Sequence, residues 1–245
     1  MTFLIEADWP APSQIHACTT LRHQGCSASP YESWNLAKHV ADKESDVMRN
    51  RQLLKQRLDL PEEPIWLEQV HGVKVLNVDV EQGADLKADG SFSTRKNRVC
   101  CVMTADCLPV LITNTRGTEV AAVHAGWRGL AAGVIEAGLA RFTSPADELL
   151  VWLGPAIGPD AFEVGEEVRQ AFMLRDPNAE KAFRPSEKGT LLANLYQLAR
   201  QRLQLAGVSA IYGGNFCTYT EEERFYSFRR NPETGRMASL IWMQS

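Results

Sequence analysis

The chain has 245 residues, of which 44% are hydrophobic, 23% charged and 8% aromatic, and its formal net charge is −4. This is the composition of an ordinary soluble globular protein, long enough for one sizeable core, and no linker, repeat or low-complexity tract divides residues 1–245, which read as a single domain. The mild acidity supplies no basic field for a polyanion, so nucleic acid is set aside in favour of small substrates, although local arginines can still hold one phosphate.

The first residues, Met-Thr-Phe-Leu-Ile-Glu-Ala-Asp-Trp-Pro, lack the basic region and apolar core of a signal peptide, and no window resembles a membrane span. A cytoplasmic protein is expected. Cys18, Cys26, Cys100, Cys101, Cys107 and Cys217 are then reduced thiols rather than a disulfide framework. Cys100 and Cys101 are adjacent and should point to opposite faces of a strand, which argues against a chelating pair.

Ile15 to Thr20 reads as a strand, and the glycine-, serine- and proline-bearing stretch from Arg22 to Tyr31 as a loop. From about Ser45 to Leu58, Val47, Leu54 and Leu58 recur at helical spacing, predicting a surface helix, with Arg51 inside the apolar stripe. Ile65 to Val70, Val73 to Val78, Val99 to Met103, Leu108 to Ile112 and Val120 to Val123 are short β-branched runs and read as strands. After Gly129 the period changes: Ile135, Leu139 and Phe142 share one helical face, and Leu130 and Val134 another, up to Ser144-Pro145. Leu149 to Leu153 is a strand entering a loop rich in glycine and proline. Helices are expected at about Glu163 to Leu174 and Ala193 to Ala206, the second stopped by Gly207. Strands at Ala210 to Tyr212, Phe225 to Arg229 and Met237 to Trp242 close the chain. Strands and helices mix without strict alternation, so an α+β fold with mixed β-sheets flanked by helices is predicted.

Three residues that follow apolar runs could supply ligands to one metal: His71 in Q-V-H-G, Cys107 in T-A-D-C-L-P and His124 in V-H-A-G-W-R-G. Two imidazoles and a thiolate form a zinc-type set that leaves a fourth tetrahedral position open, as catalytic sites do. Their spacing matches no zinc finger, so only the tertiary fold can assemble them. A His₂Cys set also describes a copper centre, with Met103 as a conceivable axial ligand. Without a metal, a Cys107 thiolate beside an imidazole would be a nucleophile, giving a cysteine hydrolase. Asp106 could orient an imidazole or act as a general base, or simply cap a turn. His16, His23 and His39 lack a comparable glycine-turn context and are weaker candidates.

The segment from His124 to Gly129 joins a strand to a helix, and its helix start, with Gly126 and Gly129 and the planar guanidinium of Arg128, suits an oxyanion. The same glycines would equally serve a plain tight turn. In the tail, Arg229 and Arg230 follow Phe225, Tyr226 and Phe228, and Gly235-Arg236-Met237-Ala238-Ser239 comes next; aromatics beside arginines suit a flat ring and an anion, and equally an edge strand. No dinucleotide, P-loop, esterase-elbow or zincin motif is present.

The segments W-L-E-Q-V-H-G, M-T-A-D-C-L-P-V-L, V-A-A-V-H-A-G-W-R-G, W-L-G-P-A-I-G-P, F-E-V-G and R-M-A-S-L-I-W resemble the YfiH family, also called the laccase-domain or polyphenol oxidase family, over nearly the whole chain. The loop Arg22-His23-Gln24-Gly25-Cys26-Ser27 departs from that family's double-glycine, valine, serine pattern. The resemblance implies a compact α+β domain and a zinc site made by His71, Cys107 and His124. It implies phosphorolysis of adenosine, inosine, guanosine and methylthioadenosine to base and ribose 1-phosphate, together with adenosine deamination. The family's older label implies copper-dependent phenol oxidation, and a further family role is editing of peptidoglycan precursors. On this reading His71, Cys107, His124 and Asp106 carry the chemistry, Arg128, Gly126, Gly129 and Arg229 hold substrate or phosphate, and Asp106 or Glu163 would protonate the leaving base. The expected partners are purine nucleosides and phosphate, with a monomer or weak homo-oligomer as the assembly.

Overall fold

The β-branched runs pair into sheets in the computed structural model, which describes residues 2–81 and 85–245. In chain order the elements begin with strands β1 (Leu4–Glu6) and β2 (Ile15–Thr20), helix α1 (Glu44–Arg57), and strands β3 (Val75–Asn77), β4 (Gly90–Ser93), β5 (Cys100–Thr104), β6 (Leu108–Asn114) and β7 (Val120–Ala125). Helices α2 (Trp127–Ala132) and α3 (Val134–Leu139) follow, then β8 (Leu149–Leu153), β9 (Glu163–Val164), α4 (Glu166–Met173), β10 (Phe183–Pro185), β11 (Leu191–Ala193), α5 (Leu195–Leu205), β12 (Ala210–Gly213) and β13 (Met237–Met243).

A six-stranded sheet runs in the order β12-β8-β6-β7-β4-β3, with parallel pairs at both edges and antiparallel pairs between them. A four-stranded antiparallel sheet runs β1-β2-β13-β5, and a small sheet runs β10-β11-β9. This is the predicted mixed-sheet α+β architecture in one compact domain.

Strand β6 explains the layering. Every residue from Leu108 to Asn114 is buried, as expected of a strand covered on both faces. Val110 and Ile112 pack with Val123, Val151, Leu130, Val134, Leu198 and Leu203 on the helical side. Leu111, between them in a period of two, faces Trp152, Ala122, Cys100, Val102 and Ile241 between the two large sheets. The outer face of the four-stranded sheet is covered in turn by Leu54 of α1 with Trp34 and Leu36. Cys100 and Cys101 belong to these two different cores, as their adjacency predicts.

Several expected elements change on folding. The helix foreseen after Gly129 becomes α2 and α3, broken at Gly133, whose φ of +107° ends one and starts the other. The helix expected from Glu163 begins later, at Glu166, because Glu163 and Val164 pair with β11. Ile65 to Val70 makes only the isolated bridges Ile65 to Cys100 and Glu68 to Lys87. Phe225 to Arg229 is not a strand: Ser227 and the Arg229 N–H turn to the Asp106 carboxylate, and that side-chain pull replaces a β-ladder.

Candidate metal centre

His71, Cys107 and His124 meet. Their ligand atoms all lie within 4.8 Å of one another, and they are the one group of this kind among the described residues. Cys107 Sγ is 3.9 Å from His71 Nε2, and the two imidazole rings meet edge to face with centroids 4.9 Å apart. Tetrahedral zinc with ligand bonds of ~2.0–2.3 Å spans edges of roughly 3.3–3.8 Å, so the group fits one such cation after a small inward movement.

Two of the ligands stand at strand ends and the third in a turn. His124 is the penultimate residue of β7, and Cys107 directly precedes β6, so register sets both: Leu108 pairs with Ala125 and Pro109 with His124. His71 sits in a turn with a φ of +60°, and Asp106, next to Cys107, has a φ of +87°. Such left-handed backbones need surrounding support in a non-glycine residue.

Asp89 supplies that support at His71. Its carboxylate accepts the backbone N–H groups of Val70, His71 and Gly72, at 3.3, 2.9 and 2.6 Å. Its Oδ1 also accepts from His124 Nδ1 at 2.9 Å. This bond leaves Nε2 of His124 for a metal, the arrangement in which a carboxylate fixes a ligand histidine's tautomer and aim. Asp89 is fully buried. Burial alone would raise its pKa, but His124 and the backbone donors outweigh that and hold it below the usual carboxylate range.

Burial likewise acts to raise the Cys107 thiol, yet His124 and His71 pull it well below its ordinary value. Burial acts to lower His124, while Cys107 and Asp89 raise it strongly. Thiolate and imidazolium therefore stabilise each other, and a divalent cation would take the place of that shared proton.

Gly126 opens the space. A Cβ there would sit 2.9 Å from His71 Cδ2 and 3.0 Å from Cys107 Sγ, so only glycine lets the ligands close around one point. Gly129 faces away from the site: its Cβ would meet the Gly72 carbonyl at 2.8 Å, and its bareness lets α2 pack on the His71 turn.

The ligands open into a cavity of about 430 Å³ that also exposes Asp106, Arg128, Arg229, Arg236, His39 and Phe228. Three guanidiniums stack on aromatic rings in its wall: Arg128 over Trp127 at 4.6 Å, Arg229 over Phe162 at 5.5 Å and Arg236 over Phe228 at 5.8 Å. Asp106 is engaged on both oxygens, accepting from Thr218 Oγ1 at 2.6 Å, Ser227 Oγ at 3.0 Å and the Arg229 N–H at 2.7 Å. Glu163 lies outside the cavity lining, its carboxylate accepting from Thr190, Ser186 and Lys188.

Asp89 and Phe162 are site residues that sequence reasoning missed, while His39, weighed there as a weaker candidate, borders the same cavity. Asp89 stands in Ala-Asp-Gly, which reads as a turn, and carries no local sign of burial. Arg236 belongs to the tail whose aromatics and arginines suit a flat ring and an anion, and the fold brings it to the cavity wall.

Residues 16–244 match the family described as multi-copper polyphenol oxidoreductase laccase. "Purine nucleoside phosphorylase YfiH" of Escherichia coli (strain K12) is 53% identical over 99% of this chain and 100% of that protein. "Purine nucleoside phosphorylase PA4543" of Pseudomonas aeruginosa is 51% identical over the full length of both. Among solved structures, Neisseria meningitidis protein NMB0706 superposes with a TM-score of 0.96 at 45% identity over 100% of both chains. YlmD from Geobacillus stearothermophilus gives a TM-score of 0.90 at 29% identity over 100% of this chain and 97% of that one.

Proposed function

The chain belongs to the multi-copper polyphenol oxidoreductase laccase family, the family of YfiH-type proteins, and from that membership and the chemistry of its cavity we propose that it is a zinc-dependent purine nucleoside phosphorylase. The observation that carries this reading is the charge of the cavity. Its one carboxylate, Asp106, is fully engaged, whereas three arginines surround an open space beside the His₂Cys group. Such a site suits an anionic co-substrate meeting a flat neutral partner, and phosphate with a purine nucleoside is that pair.

In phosphorolysis a phosphate oxygen bonds to the anomeric carbon while the bond from that carbon to the purine nitrogen breaks. The electron pair leaves with the base, which takes up a proton. The chain's own contribution is to hold the anion against the anomeric carbon and to offset charge as it develops. Trp127, Phe162 and Phe228 offer apolar faces to the purine. With its oxygens taken by three donors, Asp106 positions the Ser227 to Arg229 segment rather than delivering the proton.

His71, Cys107 and His124 would hold the zinc, which when bound supplies a Lewis acid able to lower the pKa of water. The same centre would suit adenosine deamination, in which a water oxygen replaces the amino group of the purine and ammonia leaves. A multi-copper centre calls for more ligands than the single group of three among the described residues.

The test is turnover of inosine and adenosine with and without phosphate, for the wild type and Cys107→Ala. Ribose 1-phosphate should appear only with phosphate, ammonia should appear from adenosine without it, and both should vanish in the variant. If the metal-loaded wild type converts neither nucleoside, the reading fails.

A further inference from the structure

We propose that Arg236, together with the Thr104 hydroxyl, is the seat of the phosphate, in place of the more exposed Arg128 and Arg229. This rests on the reading of the site as a phosphorylase, and it assigns the anion to the C-terminal strand instead of the start of α2.

Register places Arg236 near the candidate ligand Cys107. Met237 pairs with Thr104 in the antiparallel β13–β5 ladder, so Arg236 stands opposite Ala105, two positions before Cys107. Arg236 and Thr104 both border the cavity. The Arg236 guanidinium is fixed before any ligand arrives: Nη1 donates to the Thr234 and Gly235 carbonyls at 2.8 and 3.0 Å, and the group stacks on Phe228. Its backbone N–H is tied to Asn35 Oδ1 at 3.0 Å.

What remains of that guanidinium has no partner. Among the described residues no carboxylate pairs with Arg236, and its side-chain hydrogen bonds are the two from Nη1. The Thr104 hydroxyl is also buried without a hydrogen bond, on a residue only 2% exposed. The buried Thr104 hydroxyl is costly unless a ligand completes it, and the half-buried Arg236 borders the same cavity with N–H groups to spare. A tetrahedral oxyanion serves both, accepting two N–H groups on one edge and the hydroxyl on another. Burial lowers the Arg236 guanidinium while Cys107 and Asp106 raise it, which places it within electrostatic reach of the ligand sulfur.

The other two arginines are less suited. Arg128 is exposed and, among the described residues, held only by its stack on Trp127. Arg229 is exposed, donates to the Glu163 carbonyl at 2.9 Å, and also lines the neighbouring depression around Lys188 and Arg184.

The experiment measures binding of inorganic phosphate by calorimetry to the zinc-loaded protein, alongside inosine phosphorolysis at varied phosphate. Wild type should bind phosphate. Arg236→Gln should weaken that binding and raise KM for phosphate by roughly tenfold or more, with KM for inosine and zinc content little changed. Arg236→Lys should recover part of the loss, since it restores charge without the planar fork. Thr104→Val should show a smaller change in the same direction, and Arg128→Gln and Arg229→Gln less than Arg236→Gln. The assignment is overturned if Arg128→Gln gives the larger loss, if wild type binds no phosphate, or if Arg236→Gln loses zinc and kcat with phosphate affinity intact. Phosphate binding that depends on Arg236 in a protein that cleaves no nucleoside would sink the phosphorylase reading and leave this seat standing.

Discussion

Nδ1 of His124 lies 2.9 Å from Oδ1 of Asp89, and that same oxygen accepts the backbone N–H of His71 at 2.9 Å, so one buried carboxylate sets two of the three candidate metal ligands. The ring of one and the backbone of the other are fixed by a residue that is not itself a ligand.

Asp89→Asn tests this relationship. An amide presents one acceptor oxygen and no charge, so if that oxygen keeps the His124 ring and the His71 N–H, its NH₂ is turned on the N–H groups of Val70 and Gly72 that Oδ2 now accepts. Zinc affinity should fall by roughly 10- to 100-fold. Competition with a chromophoric chelator reads the change, and an unchanged affinity would show that the ring is oriented by something else.

Two glycines near the site should behave oppositely. At Gly126 a methyl would press on His71 Cδ2 and Cys107 Sγ at 2.9 and 3.0 Å, whereas at Gly72 it would meet Asp89 Oδ2 at an ordinary 3.4 Å. Gly126→Ala should therefore lower bound zinc at least as much as Asp89→Asn. Gly72→Ala should keep its metal. Metal analysis after dialysis checks both, and equal zinc in the two variants contradicts the packing argument.

Chelation should destabilise the protein. A ligand held only by the folded state adds about 4 kcal/mol at a concentration 1,000 times its Kd. EDTA should lower the melting temperature of the wild type and leave that of Cys107→Ala nearly unmoved, since the variant has lost a ligand already. A variant as sensitive to chelator as the wild type would place the metal elsewhere.

Glu119 sets an acid limit on stability away from the candidate metal ligands. Its side chain is 3% exposed and accepts from Thr143 N and Oγ1 at 2.7 and 2.8 Å, Ser144 N and Oγ at 3.2 and 2.5 Å, and Asn114 Nδ2 at 3.0 Å. Burial alone would raise its pKa, but the donors of Ser144 and Thr143 win and lower it. A carboxylate with a depressed folded pKa stabilises the fold above its unfolded value of about 4.3, and the contribution fades as pH falls through the folded value. Glu119→Gln should cost about 1–3 kcal/mol at pH 7. The difference should shrink as the solution is acidified below that unfolded value, as read by urea unfolding at each pH.

Much of the site is legible in the chain because its ligands stand in dense local contexts. His71 before Gly72, Cys107 after Asp106 and His124 before a glycine turn are each marked by neighbours that force the backbone to bend. The partners that orient them leave no such mark. Asp89 looks like half of a turn dipeptide, and its burial comes from packing against β7 and the His71 turn. The strand expected over Phe225 to Arg229 fails for a related reason: Asp106, distant in sequence, captures Ser227 and the Arg229 N–H.

The sequence by itself determined the α+β class and the candidate ligand types, since short β-branched runs and a His₂Cys set are local properties of residue order. Only the tertiary structure decided which groups meet and what surrounds them. Strand register brings three distant side chains to one point, Gly126 leaves them room, and the packing of β13 on β5 brings Arg236 beside them, because distances across a sheet are set by pairing and not by position along the chain.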